Sequence, residues 1–364
     1  MNHAFAASSN VGPAMRVLFG VFDWGIGHAT RDIPLINELL KTNEVHVLST
    51  GRPLKLLKDY FGSRCTYYDV PSVYSPYTRT RFFQVTFALY LPKMIRSLQY
   101  ARKKSWEIIR TGFDKVISDC RYDVYDTPDN SYLINHQLRF KTPFGAERIF
   151  ERLLASKMQK YRYVIVPDFE RQTLTGRLSH DLRYVSRDKI KYIGILSHLK
   201  KLDAAEDIDY FISVSGPEPQ RTVLQKKMLD LSGQLEGKVV IAGGIPENAT
   251  SHSRDNVQFY SFLNAERQQN VMNRAKFIIG RPGYTTVMEL AELDKKKALF
   301  LPTPGQTEQE YLASHYEKQG YFHTVSQYGL KLRKAVEDSK QFKGYSPLWK
   351  TERSVQEFMK VMTS

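Results

Sequence analysis

Residues 278–313 read IIGRPGYTTVMELAELDKKKALFLPTPGQTEQEYLA. An apolar, β-rich run ends at Gly280, Gly283 makes a tight turn, and helical spacing follows over Thr285–Leu293. A helix that opens straight after such a turn points free N–H groups outward, a site for phosphate. A second apolar run, Ala298–Leu301, precedes helical spacing over Glu308–Gln319. Strand, helix, strand, helix is the rhythm of a parallel sheet with helical crossovers. Glu289 falls on the first helix, where a carboxylate can accept from both hydroxyls of a ribose or simply face water. PTPGQTEQE sets Gln306, Gln309 and Glu310 at a strand's carboxyl end, where they either hydrogen-bond a sugar or line a solvated loop.

The rhythm extends in both directions. Upstream lie strands Tyr210–Ser215, Lys238–Ala242, Val257–Tyr260 and Phe277–Ile279, with helices after Pro219 and over Ala265–Asn273; a short strand near Tyr321–Val325 follows. Before them, YIGILSHLKKLDAAED (192–207) turns charged and poor in bulky apolar groups toward its end, the composition of a linker. The N-terminal half repeats the pattern. Its expected strands are Arg16–Phe22, Val45–Ser49, Cys65–Val70, Lys115–Ser118, Tyr132–Asn135 and Tyr163–Val166. Its expected helices are Asp32–Leu40, Glu147–Tyr161 and Phe82–Arg110, the last broken near Pro92. The pattern predicts an α/β chain of two doubly wound Rossmann-like domains facing across a cleft. The domains would span 15–200 and 201–345, with a helix in 346–364 packing back on the first and a disordered tail over 1–14. That tail is small and polar, not the charged and apolar pattern of a signal peptide.

With 364 residues and 42% hydrophobic content the chain can build two cores. Its two cysteines, Cys65 and Cys120, support neither a disulfide framework nor a thiolate metal site. The net charge of +15 favours anionic partners. Residues 79–121 hold ten Lys/Arg against three acids, interleaved with Phe82, Phe83, Phe87, Tyr90, Tyr100, Trp106 and Phe113. Basic and aromatic helices suit an anionic membrane surface. They equally suit single-stranded nucleic acid, or a solvated face whose aromatics are core. No run approaches the roughly 20 apolar residues of a membrane span.

Residues 16–31, RVLFGVFDWGIGHATR, look at first like a dinucleotide fingerprint. That fingerprint needs a third glycine, where Thr30 stands, and an acid ending the second strand, where Ser49-Thr50-Gly51 stands. What remains is a strand-to-helix turn with His28 at the helix start. A helix N-terminus keeps an imidazole neutral, as a general base requires; a capping or packing histidine explains the position equally well. Asp119, at another strand's carboxyl end, is the reserve base, or else a helix cap. SVSGPEPQR (213–221) offers a second turn at Ser215-Gly216, with Arg221 beyond it.

Taken together, these segments resemble the GT-B fold glycosyltransferases, and within them the family 28-like group. That group contains the UDP-N-acetylglucosamine transferase of lipid II synthesis and the monogalactosyldiacylglycerol synthases. RPGYTTVMEL is similar to the group's Arg-Ser-Gly-Ala-x-Thr-x-x-Glu motif, and FLPTPGQTEQEY to its Phe-Val-Pro stretch ending in Gln-Gln-Tyr. The resemblance implies that Gly283 and Thr286 lie by the donor phosphates and that Glu289 holds the ribose. It sets Gln309 on the sugar, with Glu310 in place of a second glutamine, and Leu263 where backbone reads the uracil. Gly25, Gly27 and His28 match the group's Gly-Gly-His loop, and His136 and Gln137 its acceptor-side segment. The implied reaction is inverting sugar transfer from a UDP-sugar co-substrate to a hydroxyl acceptor, with no cofactor or metal; the basic aromatic segment 79–121 points to a lipid or lipid-linked glycan as that acceptor. The acceptor would bind the first domain and the donor the second, on the cytoplasmic face of a membrane reached through residues 79–121; no nucleic acid is expected. Pro217 and Glu218 depart from the group's Gly-Gly-Ser-x-Gly phosphate loop, and Arg221 is the residue placed to compensate. Two alternatives stay open. One is a UDP-sugar 2-epimerase using Glu310 and Asp119 as acid and base. The other is a basic nucleic-acid-binding protein, against which the nucleotide-sugar motifs speak.

Overall fold

The computed structural model describes residues 14–74, 83–139, 147–245 and 250–364. All but the last residue of the expected tail lies outside these, as do Arg79, Arg81, Phe82 and the side chains of Phe83 and Phe87. The first half runs β1 (Arg16–Val21), α1 (Ile26–Leu39), β2 (Glu44–Ser49), α2 (Gly51–Phe61), β3 (Thr66–Asp69) and α3 (Phe83–Ile109). It continues with β4 (Lys115–Asp119), β5 (Ser131–Ile134), α4 (Glu147–Met158), β6 (Tyr163–Val166) and β7 (Ile190–Tyr192). Its seven strands form one parallel sheet in the order β3-β2-β1-β4-β5-β6-β7.

Because side chains alternate across a strand, this sheet buries two faces. Val17, Phe19, Ile117, Ile134 and Ile165 pack against Ala29, Ile33 and Ile36 of α1. On the other face Leu18, Leu48 and Val116 meet Ile109 of α3, and Leu133, Val164 and Val166 meet Ala155 and Met158 of α4. Each fully buried Val, Leu, Ile, Phe or Met among them contributes about 1.5–3 kcal/mol. So α3 and α4 lie side by side on one face of the sheet, and α1 on the other.

The second half runs β8 (Ile208–Ser213), α5 (Gln220–Ser232), β9 (Val239–Ala242), β10 (Ser251–Arg254), β11 (Val257–Tyr260), α6 (Ala265–Arg274) and β12 (Ala275–Gly280). Then come α7 (Tyr284–Glu292), β13 (Ala298–Phe300), α8 (Thr307–Lys318), β14 (His323–Thr324), α9 (Leu332–Ser339) and α10 (Thr351–Thr363). Its strand order is β10-β11-β9-β8-β12-β13-β14, parallel except for the antiparallel β10–β11 pair. Both sheets therefore reverse winding at one place, between β1 and β4 and between β8 and β12. Ligands of doubly wound sheets sit beyond the carboxyl ends of strands at such reversals. The last helix, α10, packs on α1, and Lys115 Nζ donates to the Met362 carbonyl.

Some expectations need correction. Pro92 lies inside α3 without breaking it; its ring is exposed, so the carbonyl it deprives of a donor can turn to water. The segment after β7 turns to an exposed connection only toward its end. Ile193, Ile195, Leu196 and Leu199 are core, and only from Lys200 does the chain run exposed. At the end of this segment Asp207 accepts from Arg274 and Lys238, and in the next strand Asp209 accepts from Lys276. Strands β7 and β10 and helices α2 and α9 are elements that the hydrophobic pattern did not reveal.

Candidate active site

The turn after β1 starts α1 at Ile26 with Gly25 as N-cap, so His28 stands in the helix's first turn. Neighbouring β4 ends at Asp119, in register with Val21 of β1. These two strand ends bring together residues 91 apart in sequence: His28 Nδ1 lies 2.6 Å from Asp119 Oδ2. Asp119 is fully buried, and the His28 ring keeps 19% of its side chain exposed. A carboxylate only accepts, so Nδ1–H donates to it and Nε2 is left as the basic nitrogen. Burial lowers the His28 pKa below its ordinary value, against the pull of Asp119 and with the help of Arg31. Burial would raise the Asp119 carboxyl, but the Arg31 guanidinium and then His28 outweigh it and hold the group well below the carboxylate range. The pair is thus a neutral imidazole oriented by a carboxylate, the arrangement of a general base.

Arg31, one turn after His28 and 1% exposed, donates Nη2 to Asp119 Oδ1. Its Nη1 donates to His136 Nδ1 at 2.9 Å, and His136 Nε2 donates to Glu308 Oε1 at 3.0 Å. Burial raises the Glu308 carboxyl, but His136, together with His28 and Arg31, outweighs it and holds the group below its ordinary value. Asp119, Arg31, His136 and Glu308 therefore form one continuous run of hydrogen bonds that spans the two domains. Asp32 is also fully buried, and burial together with the Asp119 charge drives its pKa well up. His28, Asp119 and Cys120 place ligand-type atoms within 4.8 Å of one another. The Arg31 guanidinium already supplies the positive charge there, which leaves the set ill suited to a cation.

A second contact joins the domains directly. Thr285 Oγ1 donates to the Gly27 carbonyl at 3.2 Å, setting the start of α7 against the start of α1. Any Cβ at Gly27 would stand 2.9 Å from Thr285 Oγ1, so glycine here permits the approach of the other domain. Beside it the Tyr284 ring stacks on His136 with centroids 4.6 Å apart, and its hydroxyl donates to the Pro167 carbonyl.

On the C-terminal side, Gly283 is the N-cap of α7 and makes no side-chain capping bond, so the first N–H groups of the helix point outward. Thr286 sits in that turn, half-buried. The Ser215-Gly216 turn after β8 lies beside Arg281 and Thr303, with Gly216 at φ 115, a left-handed conformation suited to glycine. Arg281 ties this region together. It is 2% exposed and donates to the carbonyls of Ser215, Leu301, Pro302 and Gln220 and to Gln327 Oε1. Among the described residues no carboxylate pairs with it, and burial lowers its pKa to about 10, still cationic at neutral pH.

The remaining candidates divide. Glu289 on α7 is buried, has no hydrogen-bond partner among the described residues, and is pushed up to about 8 by burial. Leu263 is buried just ahead of α6. Arg221 is engaged with Glu218, Gln225 and the Gly243 carbonyl. Gln309 accepts from the Thr303 N–H and Glu310 from the Gly305 N–H, so both carboxamide and carboxylate oxygens secure their own loop. Gln137 is half-buried, its N–H donated to Asn135, and takes no part in the His136 network. Three residues of this network were missed: Arg31, Glu308 and Tyr284. Arg31 had a signal, since it stands three residues after His28 and shares its helix face.

Residues 220–362 match the glycosyltransferase family 28 C-terminal domain, and residues 15–79 match glycosyl transferase family 1. No curated protein sequence matches the chain. Among solved structures it is similar to the spinosyn rhamnosyltransferase SpnG, at 13% identity and TM-score 0.62 over 96% of each chain. It is similar to Arabidopsis thaliana UGT89C1 complexed with UDP-L-rhamnose, at 12% identity and TM-score 0.59 over 97% of this chain and 94% of that one. It is also similar to Acinetobacter baumannii MurG, at 12% identity and TM-score 0.52 over 95% of each. The fold is GT-B, and the chain carries the architecture and a C-terminal domain of the glycosyltransferases.

Proposed function

We propose that this protein is an inverting glycosyltransferase that moves a sugar from a UDP-sugar to a hydroxyl acceptor. One observation carries the reading: the His28–Asp119 pair lies at the winding reversal of one sheet and meets, through Gly27 and Thr285, the uncapped helix start at the reversal of the other. Base and leaving-group cradle are then on opposite sides of one reacting bond. His28 Nε2 takes the acceptor hydroxyl proton as the oxygen attacks the anomeric carbon; the bond to the diphosphate breaks, and its electrons leave with the phosphate. Asp119 stabilises the imidazolium that forms. The N–H groups at the start of α7, the Ser215-Gly216 turn and the nearby charge of Arg281 favour the departing anion. Glu289 holds the ribose. The epimerase alternative asks Glu310 and Asp119 to act on the sugar, yet Glu310 is bound to Gly305 and Asp119 to Arg31 and His28.

For the acceptor we favour a lipid or lipid-linked glycan. The outer surfaces of α3 and α4 carry Leu91, Ile95, Tyr100, Trp106, Ile149, Phe150 and Leu153, all exposed, among Lys93, Arg96, Lys103, Arg148 and Arg152. The test of the chemistry is release of nucleoside diphosphate from a panel of nucleotide sugars, with and without short-chain prenyl phosphoglycan or diacylglycerol acceptors. His28→Ala and Asp119→Asn should each lower kcat about 10³-fold or more while nucleotide binding persists. Wild-type turnover by both variants would remove the pair from the mechanism.

A further inference from the structure

The segment that leaves the first domain carries a histidine that the mechanism above does not use. His198 is 93% buried as a side chain by its 7% exposure, and its Nδ1 has no hydrogen-bond partner among the described residues. Across from it, at 4.0 Å from that nitrogen, is Oε1 of Glu289, whose side chain is 8% exposed. At 4.0 Å the two do not bond each other. Nor are they an ion pair at neutral pH: burial pushes the Glu289 acid up to about 8 and the His198 imidazole down to about 4.

The position is built rather than incidental. The Leu196 N–H donates to Met288 Sδ on α7, Ser197 N–H to Thr351 Oγ1 at the start of α10, and Lys200 N–H to Gln269 Oε1 on α6. Three helices thus fix the backbone on both sides of His198. Leaving the buried His198 Nδ1 unpaired costs about 1–3 kcal/mol, a cost that a bound partner would offset. The neutral acid offers one O–H and one acceptor, and the neutral imidazole one N–H and one acceptor. A hydroxyl seated beside the gap, at about 2.8 Å from each, bridges them, and a neighbouring hydroxyl uses what is left.

We propose that His198 is a second reader of the nucleotide's ribose, closing with Glu289 on the vicinal 2′,3′-diol, so that the segment joining the two domains sets ribose specificity. The proposal rests on the assignment of Glu289 to the ribose. A site built to hydrogen-bond a hydroxyl rejects the analogue that lacks it, because its own buried groups are then left unpaired. The experiment is titration calorimetry with the uridine, adenosine, guanosine and cytidine diphosphates, each in ribo and 2′-deoxy form, on the full chain. The wild type should prefer the ribo form of its nucleotide at least about tenfold. His198→Ala should lower that ratio severalfold, and so should His198→Phe, which keeps a ring in the space if alanine weakens the fold. Thermal melts of both variants report folding. If the histidine variants keep the wild-type ratio while Glu289→Ala loses it, His198 has no such role and the ribose assignment stands. If Glu289→Ala keeps it too, or if no nucleotide binds the wild type, the assignment of Glu289 falls and the proposal with it.

Discussion

Glu289 is buried without a countercharge, and this decides how the chain should answer to pH. In the unfolded chain such an acid ionises near 4.5, whereas burial holds the folded group protonated up to about 8. Its contribution to stability is therefore fully present below pH 4.5 and is lost as pH rises toward 8. His198 acts in the opposite sense: its folded pKa of about 4 lies below 6.5, so the stability tied to its neutral form is present above pH 6.5 and lost on acidification toward 4. We predict that Glu289→Gln stabilises the ligand-free protein by about 2–4 kcal/mol near pH 8–9 and changes little at pH 4.5. Urea melts across that range check it; a variant less stable at pH 9 would show that the carboxyl is not desolvated. The same scale explains what could be read beforehand. His28 and Asp119 were rivals for one role in the sequence, because nothing in a linear chain says that β1 and β4 are neighbours. Strand order turns the rivals into partners. Glu308 stayed hidden for the same reason: its partner, His136, lies 172 residues away in the other domain.

Helix α4 is amphipathic the wrong way round for a solvated helix. Its inner side holds Glu151, paired with Arg139, beside Ala155 and Met158, while Ile149 at 66%, Leu153 at 57% and Phe150 at 39% exposure point outward. A face like this next to basic side chains suits the interface of an anionic bilayer, where burial of the apolar tips and counterion attraction add. The sequence pointed instead to residues 79–121, and the structure redistributes that charge. Arg121 is buried with Asp123, Arg102 donates to the carbonyls of Asp123 and Tyr125, and Lys115 reaches Met362. Lys93, Arg96 and Lys103 are the cations that α3 leaves exposed. We expect the protein to co-sediment with vesicles of one-third phosphatidylglycerol at low salt. Serine at Ile149, Phe150 and Leu153 should reduce the bound fraction severalfold, and neutralising Arg96 and Lys103 should reduce mainly its salt dependence. Equal binding by the triple-serine variant would assign these helices to another partner. The outer face of α4 was legible in principle, since Ile149 and Leu153 are one turn apart, but a helix reads the same until the sheet says which side is inside.

For the molecule as a whole, the alternation of apolar runs and helical spacing was enough for two doubly wound sheets, because strands buried on both faces announce themselves as continuous apolar segments. The short edge strands β7 and β10 gave no such run; β10 is exposed throughout, and its pairing with β11 is what makes it a strand. How closely α1 and α7 approach was invisible, since that contact leaves no room for a Cβ at Gly27. We predict that Gly27→Val forces α1 and α7 apart. It should cost about 1–3 kcal/mol, raise the radius of gyration in solution scattering and raise KM for the donor. Gly25→Ala, where nothing lies within 4 Å of the added carbon, should leave the radius unchanged. An unchanged radius in Gly27→Val would mean that the contact yields locally. The chain also passes between the domains twice, outward after Ile193 and back before α10, and the two passages are pinned together. Trp349 Nε1 donates to the Ile193 carbonyl at 3.1 Å, and Gly194 leaves no room for a side chain against that indole. A single tether would let one domain swivel freely on the other. Two tethers fastened side by side act as a door's paired hinges: they allow swing about one axis and resist torsion, so each opening to exchange nucleotide should return the same two surfaces to the same register.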